Sequence, residues 1–260
     1  MQIVKPTTLQ EALELLEKNQ EGEIFAGGSD IIVSLLEKEP KLLIDITHIS
    51  SLQQIQQQKG QLFLGALTTI NTLLENPLIQ NYAPLLYEAS QNFASHQVRN
   101  LATIGGNITN NSPVADLIAP LLVLNTQVVL SQKNKQRTIP LQELIQQYKT
   151  LQLHQEILTT FIVPFQNGFH YYRKVGMRQK LSIAKVALAL YKTDTHTFVS
   201  ANGVNKFVQR LSHVETLLNQ KNFTKKQLQE AIVLDTNPHS KKEYKRRVLF
   251  NMLGDALSLW

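Results

Sequence analysis

Two stretches of this sequence combine glycine with short hydrogen-bonding side chains in a pattern suited to holding an anion. The longer runs from Asn92 to Asp116, NFASHQVRNLATIGGNITNNSPVAD. Gly105 and Gly106 open backbone conformations closed to other residues and let the main chain come close to a ligand. Thr103, Asn107, Thr109, Asn110 and Asn111 surround them with hydroxyls and amides, while Ala102, Ile104 and Ile108 can anchor the bend to a core. A turn of this kind presents backbone N–H groups outward, and such concavities bind anions. The same glycine pair also serves as an ordinary turn between two strands, so this stretch alone leaves both readings open. The second stretch is Gly27–Gly28–Ser29–Asp30, where a short apolar strand over Glu23–Ala26 runs into a helix over Ile31–Leu36. Free N–H groups, a hydroxyl and the helix dipole point one way there, which makes an anion site. Service of Ser29 or Asp30 as a plain helix N-cap is the commoner role of such residues. Together the turns Gly27–Asp30 and Thr103–Asn107 can grip one extended anionic ligand from two sides, and a pyrophosphate-bridged dinucleotide suits them.

Other chemistries are excluded by what is missing. There is no G-x-G-x-x-G of a Rossmann nucleotide site, no Walker lysine after a glycine loop and no G-x-S-x-G elbow, so a hydrolase is not expected. The 260 residues include no cysteine, which rules out disulfides and removes the usual ligands of iron–sulfur clusters and structural zinc; such centres would sit on another chain. No two of the seven histidines stand at a metal-binding i, i+4 spacing beside a glutamate, which leaves His48, His96 and His154 as surface or capping residues. A net charge of +6 and a pI near 9.4 raise the question of nucleic acid. The densest basic run, Lys241–Lys242 with Lys245–Arg246–Arg247, lies in a segment of helical periodicity (Tyr244, Val248, Met252) and reads as a solvated face. No nucleic-acid partner is expected. No apolar run approaches the roughly 18 residues of a membrane span, and MQIVKPTTLQEA lacks the layout of a secretory signal. The expectation is a cytoplasmic protein without a membrane span.

The elements that must position these turns are legible in outline. Thr8 and Glu11 have the form of a capping box, and Leu9, Ala12, Leu13 and Leu16 fall on one helix face. Leu42–Ile46 reads as a buried strand, and Leu52–Ile55 and Leu62–Leu64 alternate in a β-like way. Thr68–Leu74 begins a helix, and another passes through Leu85, Leu86 and Ala89 to deliver the chain to the longer glycine stretch. Leu117–Leu124 reads as a helix interrupted near Pro120, Val128–Leu130 as a strand turned by Gln132–Asn134, and Ile157–Val163 as a strand ended by Pro164. Strands and helices mix without a regular βαβ repeat, which points to α+β. The pattern changes around Phe165–Gly168. His170–Lys174, Ala184–Tyr191 and Thr197–Val204 alternate as antiparallel strands, followed by helices over Leu211–Leu218, Lys225–Val233 and Lys241–Leu257. Two domains are expected, 1–165 with subdomains of about 1–55 and 56–165, and a C-terminal domain over 166–260 with a three-stranded antiparallel sheet and a helical layer.

In order along nearly the whole chain, the segments FAGGSDIIVSLL, LLIDITHISSLQQI, QVRNLATIGGNITNNSPVADLIAPLLVL, EILTTFIVP, YYRKVGMR and SKKEYKRRVLFNML resemble a known family. The chain looks like the flavin-bearing medium subunit of the molybdenum hydroxylases, the group containing xanthine dehydrogenase and the flavoprotein of aerobic carbon monoxide dehydrogenase. The resemblance implies a vanillyl-alcohol-oxidase (PCMH)-type fold with FAD held between two α+β subdomains. It implies that Phe25, Ala26, Gly27, Gly28, Ser29, Asp30 and Ile31 wrap the FAD diphosphate with N–H groups and the Ser29 hydroxyl. Thr103, Ile104, Gly105, Gly106 and Asn107 would clamp the same ligand from the other side. Phe93 would pack near the adenine end or the bend of the cofactor, Asp116 would accept from a ribose hydroxyl, Leu158 would add an apolar or backbone contact, and Lys174 would supply positive charge near the flavin. For Phe93 and Leu158, plain core packing fits the residue types equally well. The sequence departs from the family pattern at Ala102, where many relatives have Gly, and Val214–Asn219 is an imperfect match to the expected helix.

The function implied is electron transfer. A molybdopterin-binding large subunit would oxidise a purine-like or other heteroaromatic substrate, an iron–sulfur small subunit carrying 2Fe-2S clusters would relay electrons to FAD here, and NAD or another acceptor would take them. No general acid or base, and no metal ligand, is expected on this chain. A free-standing FAD-dependent oxidase or reductase of the same fold, and a flavin-free scaffold subunit, are the alternatives.

Overall fold

The computed structural model describes residues 1–19, 21–32, 40–147, 153–165, 167–176, 183–220, 222–234 and 241–260. Within them the chain builds three sheets. The first is parallel, with β3 (Leu42–Asp45) between β1 (Gln2–Val4) and β2 (Gly22–Phe25). All four residues of β3 are buried, as a strand covered on both faces requires. The helix Leu9–Lys18 lays Ala12, Leu13 and Leu16 on Leu42, Ile44 and Ile46, and it starts at the expected capping box of Thr8 and Glu11.

The second sheet is antiparallel throughout, in the order β4 (Ile55–Gln58), β5 (Gln61–Gly65), β8 (Ile157–Pro164), β6 (Gln127–Gln132), β7 (Lys135–Pro140). Short helices between β5 and β6, including Ile70–Glu75, Pro84–Gln91, His96–Leu101, Ile104–Asn110 and Ile118–Val123, close the largest core over it. The third sheet is antiparallel, in the order β12 (Gln209–Arg210), β11 (Thr197–Asn202), β10 (Ala184–Lys192), β9 (Phe169–Gly176). Strand β10 faces both ways: Val186, Leu188 and Leu190 pack under the helices Ser212–Leu218, Lys225–Ala231 and Lys242–Ser258, while Ala189 and Tyr191 join the core of the second sheet. Among the described residues no helix is long and apolar enough to cross a membrane.

Several expectations are corrected. The C-terminal sheet has four strands rather than three, because β12 is two residues long and too short to show an alternation. Leu52 lies in a 3-10 turn, Ser50–Gln53, and the strand begins at Ile55. Pro120 does not interrupt its helix: Ile118–Val123 starts two residues before it, so the proline occupies the first turn, where an N–H has no helical partner to lose. Strand β7 and the helix Leu141–Gln147 were not anticipated. The helix expected over Ile31–Leu36 lies, after Ile32, outside the described residues, as do Met177 and Arg178.

Candidate functional site

A cavity of about 930 Å³ lies between the parallel sheet and the five-stranded sheet. Its volume is at the upper end of the range for ligand pockets, as a dinucleotide requires. One wall follows β2. The Ile46 N–H donates to the Phe25 carbonyl at 3.0 Å, and there the ladder ends. Beyond it, among the described residues, the N–H groups of Gly27, Gly28, Ser29 and Asp30 make no hydrogen bond, and all four residues line the cavity. Gly28 turns the chain through φ +71°, a conformation that favours glycine. Gly27 allows a close backbone crossing, since a Cβ there would stand 1.7 Å from the Leu101 carbonyl oxygen. The two glycine stretches therefore touch, although 70-odd residues separate them.

The opposite wall differs from its sequence reading. Thr103 caps the helix Ile104–Asn110, so Gly105 and Gly106 are helical rather than part of an open turn. Their N–H groups are occupied: Ile104 donates to Thr68 O at 3.0 Å, Gly105 to Ala66 O at 2.9 Å, Gly106 to Thr103 Oγ1 at 3.0 Å and Asn107 to Thr103 O at 3.0 Å. Gly105 serves packing, because a Cβ would lie 2.7 Å from the Ala66 carbonyl oxygen. What this wall offers a ligand is side chains. The Leu117 N–H donates to Asn107 Oδ1 at 3.2 Å, which orients the amide, and its Nδ2 makes no hydrogen bond among the described residues.

Of the residues singled out from sequence, Ala26, Gly27, Gly28, Ser29, Asp30, Ile31, Phe93, Thr103, Gly105, Gly106, Asn107 and Leu158 line the cavity. Phe25 does not; its ring lies beneath Gly28, where a Cβ would meet Cζ at 2.8 Å. Ile104 is fully buried in the main core. Asp116 and Lys174 also stand away from the lining and pair with each other, Nζ to Oδ2 at 2.6 Å, both side chains nearly inaccessible. Burial pushes the Asp116 carboxyl above the ordinary carboxylate range, and the Lys174 ammonium offsets part of that. Glu156 lines the cavity without having been anticipated. Its charge would repel an anion, but Arg137 neutralises it through two hydrogen bonds of 2.8 Å. That pairing joins residues 19 positions apart and leaves no local signal.

Among the described residues no cluster of histidine, aspartate or glutamate could hold a metal ion. A wall of N–H donors unclaimed among the described residues, facing a wall of amide and hydroxyl groups over a cavity this large, fits a diphosphate-bridged dinucleotide. Fold and site thus define an α+β dinucleotide-binding protein. Residues 1–166 match the family described as the FAD binding domain in molybdopterin dehydrogenase, and the chain belongs to that family. It is 31% identical over 192 residues to the glyceraldehyde dehydrogenase medium chain of Sulfolobus acidocaldarius, spanning 72% of this chain and 68% of that one. It is 30% identical over 236 residues to the carbon monoxide dehydrogenase medium chain of Hydrogenophaga pseudoflava, spanning 87% and 82%. A solved chain of the carbon monoxide dehydrogenase from the same organism superposes with a TM-score of 0.89 at 27% identity, covering 99% of this chain and 96% of that one. The chain is the FAD-binding part of an oxidoreductase.

Proposed function

We propose that the chain is the electron-transfer flavoprotein subunit of a multi-subunit molybdenum hydroxylase, with a PCMH-type FAD domain over 1–165 and a C-terminal domain over 166–260. The observation that carries the reading is the set of four N–H groups from Gly27 to Asp30 that have no partner among the described residues, at the edge of the cavity. Together with the exposed Ser29 hydroxyl they are assigned to the FAD diphosphate, since phosphate oxygens take N–H and O–H donors. Asp30 contributes its N–H and not its carboxylate, which like charge would repel. Asn107 would donate from the other wall through Nδ2, while Phe93 and Leu158 shield the cofactor from water. Asp116 and Lys174, bonded to each other, are given a supporting role behind the wall.

FAD, when bound, supplies the redox chemistry, and this chain supplies binding and orientation. With no cysteine of its own the chain has no thiolate ligands for an iron–sulfur cluster. Electrons would therefore arrive from 2Fe-2S clusters on a small subunit, which receive them from a molybdopterin-binding large subunit, and leave to NAD or another acceptor. The medium-chain names of its relatives support that subunit role. The test is co-expression with the neighbouring reading frames. Co-purification of an iron–sulfur chain and a molybdenum-containing chain, with bound flavin bleached on adding the reducing substrate, is the expected result. A colourless chain that takes up no FAD on reconstitution would end the proposal.

A further inference from the structure

We propose that Asn202 is a positioning residue through which the C-terminal sheet holds the walls of the cofactor cavity; the inference rests on the FAD reading above. In the pairing of β9, β10 and β11, Ala187 stands opposite Lys174 on one side and Asn202 on the other, so the three side chains form one row on one face. Both polar ends of that row reach into the first 166 residues. Lys174 Nζ donates to the Asn92 carbonyl at 2.9 Å and to Asp116 Oδ2 at 2.6 Å. Asn202 Nδ2 donates to the Ala115 carbonyl, and the next N–H, that of Gly203, donates to the Pro113 carbonyl at 2.7 Å. Between the two ends Ala187 is fully buried.

Each end leads back to the cavity. Asn92 precedes Phe93 in one wall; Ala115 lies two residues before Leu117, whose N–H orients the Asn107 amide in the other. Asn202 is fully buried, and a buried amide is unfavourable unless it is hydrogen-bonded; its Oδ1 has no partner among the described residues, so the Nδ2 bond is what offsets that cost. Its bond leaves the sheet for the segment that follows the Ile104–Asn110 helix. Gly203 takes φ +75°, and a Cβ there would meet the Lys185 carbonyl oxygen at 2.2 Å, so the second bond depends on glycine.

The test compares Asn202→Ala with Ser200→Ala in the full-length chain. Ser200 is equally buried on the same face of β11, but its hydroxyl bonds to the Gln209 carbonyl at 3.0 Å inside the sheet. Both variants should lower the melting temperature. Asn202→Ala alone should raise the FAD dissociation constant about five- to tenfold, the scale of one net hydrogen bond, and change the visible circular dichroism of bound flavin. It alone should also speed hydrogen exchange at the Leu117 amide in the FAD-free chain. Unchanged Leu117 exchange in Asn202→Ala, or the same changes in Ser200→Ala, would overturn the latch. Should the wild type bind no FAD while Leu117 exchange still follows Asn202, the latch stands as a structural device and the flavin reading falls.

Discussion

Replacing Gly27 by alanine tests the site at its narrowest point. The added Cβ would lie 1.7 Å from the Leu101 carbonyl oxygen and 2.5 Å from its carbon. A relaxed carbon–oxygen contact is near 3.3 Å, so the two strands of chain must separate by roughly 1.6 Å. Neither can rotate aside, because both partners are backbone. The overpacking should cost about 1–3 kcal/mol of stability. The larger consequence is for binding, since the displaced segment carries the N–H groups of Gly27 to Asp30. Losing two hydrogen bonds to a charged ligand, at about 1.5–3 kcal/mol each, weakens FAD binding on the order of a hundredfold or more. The contrast is Gly105→Ala, where the Cβ meets Ala66 but the local N–H groups are already satisfied within the protein. That variant should lose stability with a much smaller loss of affinity. FAD titration followed by flavin fluorescence, with calorimetric melting of both variants, separates the two effects. Wild-type FAD affinity in Gly27→Ala, or a greater loss in Gly105→Ala, would refute the assignment of donors to the first turn.

Gly254→Ala, in the exposed interior of the Lys242–Ser258 helix, places a methyl with nothing within 4 Å, and should raise stability by about 1 kcal/mol. Urea unfolding checks this, and a fall would contradict the helix. Lys174→Met leaves the buried Asp116 without its cation and should cost about 3–5 kcal/mol while that carboxyl is ionised. Its folded-state pKa is already raised by burial, so the stability it contributes is complete below the unfolded value and lost as pH rises through the folded one; the variant should be weaker on the alkaline side of that titration than on the acid side. An equal loss at both would count against a buried charge. His170 Nε2 lies 3.3 Å from Glu88 Oε1, and that hydrogen bond raises the imidazole above its usual 6.5. The contribution is therefore complete below 6.5 and disappears above the raised value, and Glu88→Gln should lose up to about 1 kcal/mol only on the acid side. A deficit growing with pH in urea titrations would reverse that sign.

The sequence by itself determined the parts whose causes are local. The Thr8–Glu11 capping box, the antiparallel strands β9 to β11, the Gly27–Asp30 bend and the absence of thiolate ligands can all be read from neighbouring residues. The two glycine stretches do meet across one cavity. Only the tertiary structure decided which of them keeps its donors free. Gly105 spends its N–H on Ala66, 39 positions away, and Asp116 meets Lys174 58 positions away. A backbone donor or a buried charge is available to a ligand only when no distant partner has claimed it, and periodicity and turn chemistry carry no record of such partners.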